Sequence, residues 1–206
     1  MATTHMESVD STSLEARRLV SAPRCEREAF VVSAAVQPAG VGRRGRAGVS
    51  PRGGVWLTAA WPCGQDAAWY GTLPLAVARV VHGLVGDTLG DGFEERIRIK
   101  WPNDVLVDGA KVSGVLCERI ETGGGAWMLV GVGVNADFDE GALEGLGRSA
   151  TTLRAVLGRA VDAASMRRTL EERLLAALAA FDREGGAGVR EAGEVRLAWL
   201  GREVVI

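Results

Sequence analysis

Two kinds of side chain that this composition has almost eliminated stand close together. Of 24 basic residues only Lys100 and Lys111 are lysines, and the only asparagines are Asn103 and Asn135. A chain so rich in Gly, Ala, Arg and Val carries the mark of GC-rich coding, which turns lysine into arginine wherever a positive charge is all that is needed. Where lysine persists, the position calls for a compact ammonium on a flexible stem; asparagine likewise offers a donor and an acceptor together. The run Lys100-Trp101-Pro102-Asn103-Asp104 gathers ammonium, amide and carboxylate where an alternating strand gives way to a turn, with Lys111 shortly after. Such a set can hold an anion and stabilise charge that develops on it, and read locally it is also compatible with a surface turn bearing an exposed lysine.

Two further stretches carry chemistry. Gln37 to Gly54 (QPAGVGRRGRAGVSPRGG) has no periodicity and reads as one long loop, of a length that compact domains tolerate mainly for function. Gly40, Gly42 and Gly45 permit close backbone approach, and Arg43, Arg44 and Arg46 supply planar donors for phosphate or carboxylate. Read without context it is a passive Arg/Gly tract, and its formal G-x-G-x-x-G lacks the helix that a dinucleotide fingerprint feeds. Gly131-Val132-Gly133-Val134-Asn135 places two glycines inside a strand, which admits either a flat ligand or tight packing.

The elements that must position these residues follow from spacing. Ser11 to Val20 predicts a short helix, with Thr12-x-x-Glu15 as a capping box and Leu14, Leu19 and Val20 as its apolar stripe. Glu28–Val36, Val55–Trp61, Arg96–Trp101 and Trp127–Asn135 read as strands. Val105–Val107 and Val112–Glu121 flank the turn signal Asp108-Gly109 and read as a hairpin. Leu73–Leu89, Thr151–Leu157 and Ser165–Phe181 read as helices, and Val195–Ile206 as strand. The order does not alternate strand and helix cleanly, so an α+β layer structure is expected: a mixed, largely antiparallel sheet with helices packed on one face.

At 206 residues, 47% hydrophobic and net charge −2, the chain is one ordinary globular unit without the basic excess of a nucleic-acid binder. No apolar run spans a bilayer and no signal peptide precedes the helix, so a cytoplasmic protein is expected. Cys25, Cys63 and Cys117 have no C-x-x-C spacing and read as three small buried hydrophobes.

Taken jointly and in order, the strings V-D-S-T-S-L (Val9–Leu14), Gln37–Arg46, S-P-R-G-G-V-W-L-T (Ser50–Thr58), K-W-P-N-D-V-L-V (Lys100–Val107), K-V-S-G-V-L-C-E (Lys111–Glu118) and G-V-G-V-N (Gly131–Asn135) resemble the biotin protein ligases, that is, the biotin–[acetyl-CoA-carboxylase] ligases. The resemblance implies a fold shared with lipoate ligases and related to class II aminoacyl-tRNA synthetases. It implies a catalytic domain over residues 1–195 and the start of a truncated C-terminal barrel over 196–206, with no helix-turn-helix domain in front. It also implies the reaction: biotin's carboxylate attacks the α-phosphate of ATP, whose Mg2+ travels with the nucleotide rather than in a protein-only metal site. Biotinyl-5′-AMP and pyrophosphate result, and a lysine of a biotin carboxyl carrier domain then displaces AMP.

By the same resemblance Lys100, Arg43 and Asp104 are the catalytic set, with Lys100 between the two converging anions. Ser11, Thr12, Gln37, Gly40, Gly42, Arg43, Lys100 and Gly114 meet biotin, and Arg43, Arg46, Lys100, Asn103, Lys111 and Asn135 meet ATP. The implied partners are the carrier domain and the two small substrates, with no nucleic acid and no membrane; a homodimer is compatible. The chain departs from the family pattern at Val41 and Gly48, where an arginine and a tryptophan are usual, and at Ser13, where asparagine is usual. The alternative reading is therefore a degenerate, non-catalytic biotin- or carrier-binding module of the same fold.

Overall fold

The computed structural model describes residues 2–23, 25–42, 45, 47–64, 70–144, 149–184 and 197–198. Its strands are β1 (Ala2–Met6), β2 (Phe30–Ala34), β3 (Gln37–Val41), β4 (Ala47–Ser50), β5 (Val55–Pro62), β6 (Ile97–Lys100), β7 (Asp104–Val107), β8 (Ala110–Thr122) and β9 (Gly125–Val134). Its helices are α1 (Thr12–Val20), α2 (Leu73–Leu89), α3 (Leu153–Leu157) and α4 (Ala163–Glu184). Seven strands form one sheet in the order β1-β2-β5-β9-β8-β7-β6, parallel only between β1 and β2, and β3 pairs with β4 apart from it. The mixed, largely antiparallel α+β layer architecture is the one expected.

Alternation along the central strands divides the molecule into two cores. Val55, Leu57 and Ala59 of β5 and Val130, Val132 and Val134 of β9 are buried against α2 and α4, whose Val81, Val85, Leu170 and Leu174 recur at helical spacing. The opposite face of the same strands packs Ala60, Trp127 and Leu129 against Ala16 and Val20 of α1. The helices thus lie on both faces, α2 and α4 on one and α1 on the other. Of the stripe expected on α1, Val20 is buried as read, but Leu14 and Leu19 are exposed and Ala16 is buried in their stead. Small residues at the interface let α1 approach the sheet closely, which the apolar count alone does not reveal.

Further expectations change locally. Ser11 stands at the N-cap of α1 without a side-chain capping bond, and Glu15 pairs with Arg18 instead of closing a capping box. The first helical donor is met from outside: Gln37 Oε1 accepts from Thr12 N–H at 2.7 Å. The segment expected as one loop from Gln37 to Gly54 contains the β3–β4 hairpin, with Gly40 opposite Gly48 and Val41 opposite Ala47. Glycine and alanine give such strands no hydrophobic alternation, so backbone pairing forms without a sequence signal. The β7–β8 turn is as predicted, with Asp108 and Gly109 at φ of 50° and 79°. In the tail, Leu197 bridges to Ile99 of β6 in parallel, and the expected domain boundary near 195 and the strand from 199 onward lie outside the described residues.

Of the cysteines, Cys63 is buried and Cys25 and Cys117 are partly so. Burial, helped by the adjacent Glu118 carboxylate, pushes the Cys117 thiol up to about 12. Because the thiolate is the nucleophile, Cys117 is expected to resist iodoacetamide in the native protein at about pH 8 and to react once guanidinium unfolds the chain. Peptide mass spectrometry checks this, and equal labelling in both states would contradict it.

Candidate active site

The face of the sheet that carries α1 also carries a cavity of about 330 Å³, lined by the start of α1, the β3–β4 hairpin and the middle of β5, β8 and β9. That volume lies at the small end of ligand sites, which run from roughly 300 to 1,000 Å³. Its floor is smooth because Gly114, Gly131 and Gly133 fall on the same face: Gly114 pairs with Gly133 and Leu116 with Gly131. Each absence of a side chain is used. A Cβ on Gly133 would stand 3.1 Å from the Trp56 ring and one on Gly131 3.0 Å from Ser13 Oγ. Trp56 is held over this floor by its indole N–H donating to Pro51 O at 2.9 Å and by Phe138 at 6.2 Å between ring centroids.

One end of the cavity is a cluster of hydroxyls. Thr58 Oγ1, fully buried on β5, shares hydrogen bonds with Thr12 Oγ1 at 2.9 Å and Ser13 Oγ at 3.0 Å. Gln37 stands beside them as a strut, accepting from Thr12 N–H and donating through Nε2 to Ser50 Oγ at 3.0 Å. Neutral donors and acceptors on rigid elements suit a small polar head group that both gives and takes hydrogen bonds.

The other end holds the charge. Among the described residues lining the cavity the charged side chains are Lys111 and Asp104, with Nζ to Oδ1 2.6 Å and each side chain about one-fifth exposed. The strand register explains the contact: Asp104 pairs with Gly114 across β7 and β8, and Lys111 folds back over Gly114, where a Cβ would stand 2.7 Å from Nζ. Both asparagines brace this end. Asn103 Nδ2 donates to Val115 O at 2.8 Å, and Asn135 Nδ2 donates to Thr151 O at 3.0 Å and Lys111 O at 3.4 Å. The backbone around Lys111 is thereby fixed, which is what a preorganised ammonium requires.

Of the residues singled out in the sequence, Ser11, Thr12, Gln37, Gly40, Gly42, Asn103, Asp104, Lys111, Gly114 and Asn135 all line this one cavity. Lys100 does not line it. It closes the edge strand β6, exposed, opposite Asp104 in register but one strand further out than β7, whereas Lys111 lines the cavity. Arg43 and Arg46 lie outside the described residues.

The sequence pattern of the Biotin/lipoate A/B protein ligase family matches residues 8–135. A biotin–[acetyl-CoA-carboxylase] ligase of Paracoccus denitrificans is 35% identical over 199 residues, 95% of this chain and 81% of the relative. The chain belongs to the biotin/lipoate protein ligase family. Among solved structures, a biotin protein ligase from Aquifex aeolicus in complex with biotin and ATP has a TM-score of 0.72 at 26% identity, covering 97% of this chain and 80% of that one. A biotin protein ligase from Leishmania major in complex with biotinyl-5-AMP, at TM-score 0.77 and 21% identity, covers 100% of this chain and 84% of that one and shares the fold.

In this family member the sequence reading missed Trp56 as a cavity residue and Thr58 as the buried hydroxyl behind Thr12 and Ser13, which line the cavity. A signal for Thr58 was present: a hydroxyl inside the apolar strand VWLTAAW must find a buried partner, and here it finds two. Among the described residues no helix is long and apolar enough to cross a membrane.

Proposed function

We propose that this ligase-family chain activates biotin with ATP and transfers it to a lysine of a biotin carboxyl carrier domain of the acetyl-CoA-carboxylase type. The observation that carries the reading is the cavity's polarity: neutral hydroxyls and amides at one end, and at the other, among the described residues, one ammonium, Lys111, held over a glycine floor by Asp104. A biotin-sized molecule, with an uncharged ureido head and a carboxylate tail, is dipolar in the same sense.

In the first step the carboxylate oxygen attacks the α-phosphorus and the bond to the β-phosphate bridging oxygen breaks, releasing pyrophosphate. Two anions must approach, and the Lys111 ammonium between them lowers the repulsion and meets the charge that builds on the phosphoryl oxygens. Asp104 orients Lys111 and is the one carboxylate in the described lining. With a single such group, Mg2+ is best carried by the phosphates of ATP as part of the substrate. Arg43 and Arg46 are assigned to the phosphates on the resemblance alone. In the second step the acceptor lysine's neutral amine attacks the acyl carbon, AMP leaves with the electron pair of the anhydride bond, and the nitrogen releases one proton to solvent as the amide forms.

The test is the intact mass of an unbiotinylated acetyl-CoA carboxylase carrier domain after incubation with the protein, biotin and MgATP. A single biotinyl addition on one lysine is expected, and none with lipoate or octanoate. No addition, or acylation by lipoate instead, would overturn the reading. Val41, 43% exposed at the cavity wall where the family pattern has an arginine, is what favours the non-catalytic alternative, and the same measurement separates the two.

A further inference from the structure

Trp101 stands apart from every other large apolar side chain on the described surface. It is 70% exposed, whereas Leu14, Leu19, Val41 and Val49 lie between 37% and 43%. A single exposed apolar residue needs no explanation by itself. Its place does, because Trp101 sits in the turn between β6 and β7, two residues before Asn103 and three before Asp104, both of which line the cavity. Two residues of chain span at most about 7 Å, so the backbone of Trp101 lies close to the cavity lining.

The turn that carries it is rigid. Asn103 N–H donates to Lys100 O at 3.1 Å, Asn103 Nδ2 donates to Val115 O at 2.8 Å, and Val115 N–H donates back to Asn103 O at 2.8 Å. These bonds tie the turn to β8 beside Gly114, the floor of the cavity. A large aromatic on a fixed backbone, with only two side-chain torsions, loses little freedom when a partner covers it, and tryptophans are among the side chains that most often carry the binding energy of an interface.

We infer that Trp101 is the docking anchor for the acceptor protein, seating its apolar surface beside the target lysine so that this lysine reaches the activated acyl group. The inference rests on the proposed function, whose second step needs a protein lysine delivered to the Lys111 end of the cavity. A small amine needs no such anchor, and neither does adenylation.

The test compares Trp101→Ala and Trp101→Phe with the parent in three reactions: biotin-dependent pyrophosphate exchange without acceptor, capture of the activated biotin by hydroxylamine, and transfer to the unbiotinylated carrier domain of an acetyl-CoA carboxylase. For Trp101→Ala the first two are expected to stay within about twofold of the parent while KM for the carrier domain rises roughly tenfold or more, with Trp101→Phe recovering much of the loss. An unchanged KM for the carrier domain would overturn the inference alone. An equal loss in exchange and in hydroxylamine capture would also overturn it, by making the indole part of the activation site. A parent that exchanges no pyrophosphate removes the proposed function and this inference with it.

Discussion

Lys111→Ala is expected to lower biotin-dependent pyrophosphate exchange by at least roughly a hundredfold while leaving the fold intact. The ammonium is the only cation among the described residues of the cavity lining, so its removal leaves the Asp104 carboxylate facing the incoming anions without the charge that it pairs with. Lys111→Arg should restore little, because a planar guanidinium cannot occupy the ammonium's place above Gly114 without moving Asp104 or the ligand. Lys100→Ala gives the contrast: as an exposed residue on the edge strand, it should keep exchange within about tenfold of the parent. A Lys100 variant more damaged than the Lys111 variant would contradict this and support the assignment made from sequence.

Gly114→Ala should act on the same ammonium without touching its chemistry. The new methyl would stand 2.7 Å from Lys111 Nζ and 3.0 Å from its Cε. Both belong to the far end of a flexible chain, so the side chain moves and the strand does not. A misplacement of about 1 Å at a reacting centre costs on the order of a hundredfold in rate, and that is the loss expected, with the melting temperature close to that of the parent. Adding Gly114→Ala to Lys111→Ala should then cost almost nothing further, because the two substitutions remove one interaction. Additive losses, or a normal exchange rate in Gly114→Ala, would show that Lys111 works from another position.

Much of this arrangement is legible in the residues. The alternation of β6, the Asp108-Gly109 turn, the stripes of α2 and α4 and the two glycines of β9 all point to elements that are present, and the last of these points to the cavity floor. Rarity marked the right neighbourhood as well, since both lysines and both asparagines sit at or beside one end of the site. It did not separate their roles. Asn103 and Asn135 spend their amide hydrogens on backbone carbonyls that hold the cavity's shape. Which lysine enters depends on Lys111 folding back over a residue without a side chain, a relation set by strand register and not by proximity in sequence. The β3–β4 hairpin and part of the packing of α1 were hidden for a different reason: the hairpin pairs Gly40 with Gly48, and α1 meets the sheet partly through Ala16 and Ala60, small residues that leave no hydrophobic pattern.

The central claim is that this cavity activates biotin and does not merely hold it, and the exchange of labelled pyrophosphate into ATP tests that claim most directly. With the purified chain, MgATP and biotin, exchange should appear, saturate with biotin, and vanish when biotin is omitted or replaced by lipoate. Tight biotin binding without any exchange would contradict the account and leave a binding module in its place.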